Sequence, residues 1–173
     1  CPQGRYRSTT TGKKEADCAE CAKGTYSSAQ GATAKSQCNP CAPGTYGDEG
    51  GQASSDPVSP GNGGCKPCAT GKFSAASGAD DPTACAACAA GRYSSASGQP
   101  ACKACGSGKY GAQTGQTSDD SDSCKHCPRG TFNPSSGASD ASYSRDFLVS
   151  VNTDAMSESS LRAFLAIRGV LIH

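Results

Sequence analysis

Thirteen cysteines carry whatever chemistry this chain has. Twelve form six C-x-x-C pairs, Cys18/Cys21, Cys38/Cys41, Cys65/Cys68, Cys85/Cys88, Cys102/Cys105 and Cys124/Cys127, and Cys1 reads as the second half of a seventh. Three chemistries use that spacing: zinc coordination by thiolates, thiol–disulfide exchange and structural cross-linking. Cys18-x-x-Cys21, sixteen residues and then Cys38-x-x-Cys41 satisfy a zinc-ribbon template, and twelve cysteines are enough for three zinc sites of four thiolates each. Zinc modules normally add a small Leu/Val/Ile core or a basic face, and this sequence has neither. His126, the one histidine near a pair, reads as an exposed loop residue. Redox catalysis uses one C-x-x-C at a helix N-terminus in a βαβ unit, which six copies in Gly/Ser-rich sequence do not fit. Disulfides formed in an oxidising compartment explain the most.

The elements that position these cysteines are repeats. After each second Cys the pattern C-x-x-G-x-[YF] returns: Cys1-Gly4-Tyr6, Cys21-Gly24-Tyr26, Cys41-Gly44-Tyr46, Cys68-Gly71-Phe73, Cys88-Gly91-Tyr93, Cys105-Gly108-Tyr110 and Cys127-Gly130-Phe132. A second glycine usually follows five residues past the aromatic, at Gly31, Gly78, Gly98, Gly115 and Gly137. The steps between second cysteines are 20, 20, 27, 20, 17 and 22 residues. The first glycine is expected to supply a turn with φ > 0 or a close approach to the disulfide. The aromatic is expected to be the local core of its repeat, laid over sulfur. The second glycine fits a hairpin turn between two short strands. Residues 47–64, GDEGGQASSDPVSPGNGG, read as a solvated excursion with no pattern to bury, with Ser59-Pro60 as a candidate glycosylation or partner-contact site. No N-x-[ST] sequon is present, since Asn133 precedes Pro134.

Two cysteines of one C-x-x-C are poorly placed to bridge each other, so the economical scheme runs between pairs: Cys1–Cys18, Cys21–Cys38, Cys41–Cys65, Cys68–Cys85, Cys88–Cys102 and Cys105–Cys124. Each such loop is worth about 3 kcal/mol on the chain-entropy model. In three repeats the closing Cys lies twelve residues past the aromatic, and the same count from Phe132 reaches Ser144, which leaves Cys127 unpaired in this chain.

Composition supports the cross-linked reading. Leu, Ile, Val and Phe together number 14 of 173 residues, about 8%, far below the roughly 20% at which an ordinary core becomes doubtful. Only Val58, Phe73 and Phe132 of these precede Phe147. A net charge of +1 from interspersed charges gives no basic footprint for nucleic acid, and no apolar run is long enough to span a membrane. No Ser/His/Asp grouping, HExxH, phosphate loop or paired-carboxylate context is present, and the acid pairs Asp80-Asp81 and Asp119-Asp120 read as solvated loop residues. The chain therefore reads as non-enzymatic, without catalytic residues, cofactor or metal. Its start at Cys1, in mid-motif, reads as part of a longer chain.

The seven motifs resemble the ephrin-receptor-like cysteine-rich repeat, itself similar to the simplest module of tumour-necrosis-factor-receptor cysteine-rich domains. Cys-Pro-Gln-Gly-Arg-Tyr from residue 1, Cys-Ala-Pro-Gly-Thr-Tyr from 41 and Cys-Pro-Arg-Gly-Thr-Phe from 127 carry it best. The resemblance implies an extracellular, disulfide-bonded ladder of short strands with no catalytic residues. The extra cysteines that interlock loops in the receptor domains are absent here. The Ala/Gly/Ser-rich composition is also reminiscent of algal and protist surface proteins, including flagellar-hair and cell-wall proteins.

The expected fold is small, disulfide-rich and mostly β or irregular. It is an elongated tandem array of two-stranded repeats at 1–20, 21–40, 41–67, 68–87, 88–104, 105–126 and, in part, 127–138, about six and a half units. Each unit is expected to contact mainly its neighbours. Strands of about 17 Å give seven units a length on the order of 100 Å. The cysteine-free tail, 139–173, reads as a strand over Phe147–Val151, a helix capped by Asp154 and ended by Gly169, and a second strand from Val170. Leu161, Phe164, Leu165 and Arg168 mark one helix face. The favoured reading of the tail is the start of a further domain, with docking onto the last repeat or a partner as its rival. The expected role is an extracellular or cell-surface spacer or building block of a large surface, wall or filament protein. Its expected partners are other domains of the same chain, further copies of itself or other extracellular proteins. The alternative is a ligand-binding receptor ectodomain, although the spare aromatics, Tyr143, Phe147 and Phe164, all lie in the tail.

Overall fold

Each second cysteine opens a tight turn whose sequence explains its shape. The amide of the residue after the motif glycine donates to the carbonyl three residues back, as in Thr25 to Ala22 O (3.0 Å) and Thr45 to Ala42 O (3.1 Å). The glycine holds the third position of that turn with φ of +74° at Gly24 and +89° at Gly44, the conformation a type II turn requires there. The computed structural model describes residues 1–7, 14–56 and 63–141. The tail readings at Phe147–Val151 and 154–172, and the Ser59-Pro60 site, lie outside the described residues.

The turn delivers the chain into a two-residue strand ending on the aromatic. This pairs antiparallel with the two residues between the cysteines of the next C-x-x-C. The twelve strands are β1 (Arg5–Tyr6), β2 (Ala19–Glu20), β3 (Thr25–Tyr26), β4 (Asn39–Pro40), β5 (Thr45–Tyr46), β6 (Lys66–Pro67), β7 (Lys72–Phe73), β8 (Ala86–Ala87), β9 (Arg92–Tyr93), β10 (Lys103–Ala104), β11 (Lys109–Tyr110) and β12 (Lys125–His126). They form six separate hairpins, β1–β2 to β11–β12, with Tyr6 opposite Ala19 and Tyr93 opposite Lys103. Three short 3-10 turns, Glu15–Asp17, Lys35–Gln37 and Pro82–Ala84, bring the chain to the closing cysteine. Asp81 caps the last by accepting from Thr83 N at 2.6 Å, with Pro82 at the first helical position.

The architecture is the expected one, an elongated, disulfide-rich array of antiparallel hairpins. Strand length is not as expected. Two-residue strands span about 7 Å, so the length estimate built on 17 Å strands does not hold. The cystines and the contacts between repeats fix the backbone, and a longer ladder is unnecessary.

The core is unusual in content. Among the described residues the buried apolar side chains are nine cysteines with Ala32 and Ala79, and the buried polar ones are Ser27, Gln52, Ser74, Ser94, Gln116 and Asn133. The motif aromatics are not the core, contrary to expectation. Tyr6, Tyr26, Tyr46, Phe73, Tyr93 and Tyr110 are half-buried, and Phe132 is 50% exposed. The buried positions are taken by cystine sulfur and by Ser, Ala, Gln and Asn side chains, and the rings lie at the edge of this interior.

The second glycine also differs from expectation. It lies between the two paired strands of its hairpin, as Gly31 does between β3 and β4, but in a long connection and not in a tight hairpin turn. It turns the chain midway through the connection, at φ +71° in Gly31 and +73° in Gly98. Residues 47–64 are not patternless either. Gly51 takes the second-glycine position at φ +71°, and Gln52 behind it is buried. The insertion that lengthens this repeat follows Gln52, where Ser54 pairs with Gly64.

Candidate functional site

The feature that repeats with its chemistry intact is the junction between units. Each junction starts from a cystine. The bonded pairs are Cys1–Cys18, Cys21–Cys38, Cys41–Cys65, Cys68–Cys85, Cys88–Cys102 and Cys105–Cys124, with Cα–Cα distances of 5.5–5.8 Å. These are the pairings expected from the spacing, at ordinary cystine separations. In the first five C-x-x-C pairs the first sulfur bonds backward and the second forward, and in the sixth Cys124 bonds backward to Cys105. The two residues between them are the strand that closes one hairpin. Cys127 is free and half-buried.

Four backbone hydrogen bonds, with the same donors and acceptors, cross every one of the six junctions. The amide of the opening Cys donates back to the turn glycine of the preceding repeat, as in Cys21 to Gly4 O (2.8 Å) and Cys105 to Gly91 O (2.8 Å). The turn glycine amide donates forward to the carbonyl of the residue after the next aromatic, Gly4 to Ser27 O (2.7 Å) and Gly71 to Ser94 O (2.9 Å). The residue after the aromatic donates forward to the residue behind the next second glycine, Ser27 to Gln52 O (2.9 Å) and Gly47 to Ala79 O (2.8 Å). The second glycine donates back to the preceding opening Cys, Gly31 to Cys1 O (2.7 Å) and Gly137 to Cys105 O (2.9 Å). Parallel pairings such as Tyr6 with Ala32 and Tyr110 with Ala138 accompany these bonds. Each of the six paired aromatic strands therefore has an antiparallel partner in its own repeat, and the five ending on Tyr also have a parallel bridge to the next.

The junction reaches beyond nearest neighbours. The Ser27 peptide accepts from Gly4 in the first repeat and donates to Gln52 in the third, and Gly47, Ser74, Ser94 and Gly111 occupy the same relay position. At the same place the turn glycine meets a carbonyl two repeats on. A Cβ on Gly4 would lie 1.9 Å from Gly51 O, on Gly24 2.2 Å from Gly78 O, and on Gly44 2.1 Å from Gly98 O. Gly71 and Gly91 repeat the contact with Gly115 O and Gly137 O at 2.3 and 2.2 Å. A glycine hydrogen facing a carbonyl this closely makes a Cα–H···O contact, a weak but recurring attraction. The close approach expected of this glycine is thus to backbone two units away and not to the disulfide. The expectation that a unit contacts mainly its neighbours is revised accordingly: three consecutive repeats share one interface.

One junction is modified. Gln52 inserts its amide beside the Cys41–Cys65 cystine, with Oε1 3.8 and 3.9 Å from the two sulfurs, and Nε2 donates to Gly64 O at 3.2 Å. This clasps the neck of the longest loop. Outside it, Lys66 and Asp48 pair at 2.8 Å. The Lys66 hydrogen bond holds the Asp48 carboxyl below its ordinary range, and Asp48 in turn raises Lys66.

The cysteines offer little else chemically. Twelve are spent in disulfides, and a cystine sulfur has no thiolate to give a metal. The Asp119 carboxylate lies near the sulfurs of Cys105 and Cys124 but has only Lys109, at 3.2 Å, as a charged partner. His126 is exposed on β12. Among the described residues no helix is long and apolar enough to cross a membrane. No family model matches this chain, and no curated protein matches its sequence.

Proposed function

We propose that residues 1–138 form a non-enzymatic extracellular structural array, a spacer or building block of a large cell-surface, cell-wall or filament protein. One observation carries the reading: six successive junctions use the same four backbone bonds and one cystine each. An interface written in main-chain atoms tolerates variation of nearly every other residue, which suits an element selected for shape. Twelve paired cysteines also require an oxidising compartment, consistent with secretion. The proposed likeness to ephrin-receptor-like repeats rests on the C-x-x-G-x-[YF] motif and the hairpin ladder.

The test is mechanical. Residual dipolar couplings across repeats two to six should fit a single alignment tensor for a stiff array and separate tensors for a flexible string. Separate tensors would remove the spacer reading. A soluble protein ligand binding at micromolar affinity or tighter to one repeat would instead support the receptor reading.

A further inference from the structure

The seventh repeat ends the described array with its forward-facing half-junction open. In the six repeats before it, the turn glycine and the residue after the aromatic each donate an amide to the following unit. At the equivalent positions, the Gly130 and Asn133 amides donate to nothing among the described residues. Gly130 O and Cys127 O likewise lack the amides that Gly108 O and Cys105 O accept from the next unit. A Cβ on Gly108 or Gly130 would meet nothing within 4 Å, whereas the five turn glycines before them each face a carbonyl. Asn133 is 2% exposed, yet its Nδ2 has no partner. Among the described residues Phe132 has neither the antiparallel strand nor the parallel bridge that Tyr110 has, and it is the one large apolar side chain exposed.

We propose that residues 142–173 of this chain dock on that face as its cap. Stacked repeats need a differently built terminal element to finish their last interface. The 32 residues that follow Ala141 contain eleven of the chain's fourteen Leu, Ile, Val and Phe residues and no cysteine. They lack the C-x-x-G-x-[YF] motif, so they do not extend the array, and they supply the apolar surface that every repeat lacks. Being tethered directly to the face, they occupy it at an effective concentration in the millimolar range. Docking requires carbonyl acceptors for the Gly130 and Asn133 amides and apolar surface over Phe132, and the tail's Leu161, Phe164 and Leu165 are candidates for the latter. The rival occupant is the outer side of the first repeat in a second copy, where Arg7 O accepts no bond among the described residues.

Amide hydrogen exchange on the full chain tests this, with the Gly108 amide, bonded to Asn133 O at 2.8 Å, as internal reference. Gly130 and Asn133 should exchange at least about 100-fold more slowly than in an unstructured peptide, independent of protein concentration. The double variant Leu161→Asp, Leu165→Asp should return both to within about fivefold of the peptide rate with Gly108 unchanged. A second measurement needs no variant: nuclear Overhauser contacts between the Phe132 ring and Leu, Ile or Val methyls of the tail should arise within single molecules in a mixed labelled and unlabelled sample. Peptide-like exchange in the unaltered chain overturns the proposal. So does protection that grows with concentration, which assigns the face to a second copy. Absence of intramolecular Phe132–tail contacts overturns it equally, whatever the variant does.

Discussion

The turn glycine performs three tasks at one Cα. It adopts the positive φ of its turn, sends its amide to the next repeat, and leaves room for a carbonyl from the repeat beyond. The cost of the close contact is read by comparison with a second glycine, which has a similar φ and no such contact. Gly31→Ala meets only the backbone penalty, because φ is +71° but no atom lies within 4 Å of the new Cβ. It should cost about 1 kcal/mol. Gly24→Ala adds a 2.2 Å collision with Gly78 O to a similar φ of +74°. Backbone must move there, so the loss should exceed that of Gly31→Ala by about 2 kcal/mol or more, in the range of overpacking. Comparing denaturant midpoints of the two variants reads this directly, and equal losses would contradict the contact across two repeats. Buried Gln52 is the other informative residue. Gln52→Ala removes the amide bonded to Gly64 O and should cost about 1–3 kcal/mol. Faster proteolysis within residues 53–63 should accompany it.

A repeat is a turn, a two-residue ladder and a staple. None of these is stable alone, since isolated hairpins are marginal in water even when longer. Replacing Cys88 and Cys102 together by Ser should therefore destabilise the array by about 3 kcal/mol, measured by chemical unfolding without reductant. The longest repeat adds a charge dependence. Its Asp48–Lys66 pair is half-buried and still reached by solvent, so the effect is modest and weakens with salt. Asp48 is lowered, so its contribution is present above its ordinary value of 3.8 and lost as pH falls through the lower folded value. Lys66 is raised, so its contribution is present below 10.5 and lost as pH rises through the higher folded value. Exchange of the Tyr46 and Lys66 amides, corrected for intrinsic pH dependence, should thus be flat from about pH 5 to 9 and rise below about 3.8. A maximum near neutrality would contradict the pair.

At the scale of the whole molecule, what the sequence made legible follows from where side chains do the work. The cystine scheme was readable because only sulfur makes that bond, and the spacing left one economical partner for each cysteine but Cys127. The aromatics misled. A lone large apolar residue per repeat suggests a core, but the buried positions go to cystine sulfur and to Ala, Ser, Gln and Asn side chains. The interface across two repeats was nearly invisible, because its participants are peptide groups. Its only trace in the sequence is glycine, which turns also explain. Gly51 and Gln52 were hidden for another reason: they stand in a run of glycines at the mouth of an insertion and look like loop. The cap on the seventh repeat belongs to this scale too, for only an array with open ends requires one.

The backward and forward sulfurs of the first five C-x-x-C pairs have a consequence for continuity. The shortest covalent route from Cys1 to Cys124 crosses each S–S bond and then the two strand residues that follow, and it never enters the long connections. A protease that cuts a connection leaves the molecule in one piece, and tension drawn along it bypasses the loops. The loops can be nicked, lengthened or decorated while the strand of sulfur and short β-ladder stays whole, as a chain of links survives damage to whatever hangs from them. Only cleavage inside a C-x-x-C, or reduction of a repeat whose connection is already cut, parts it.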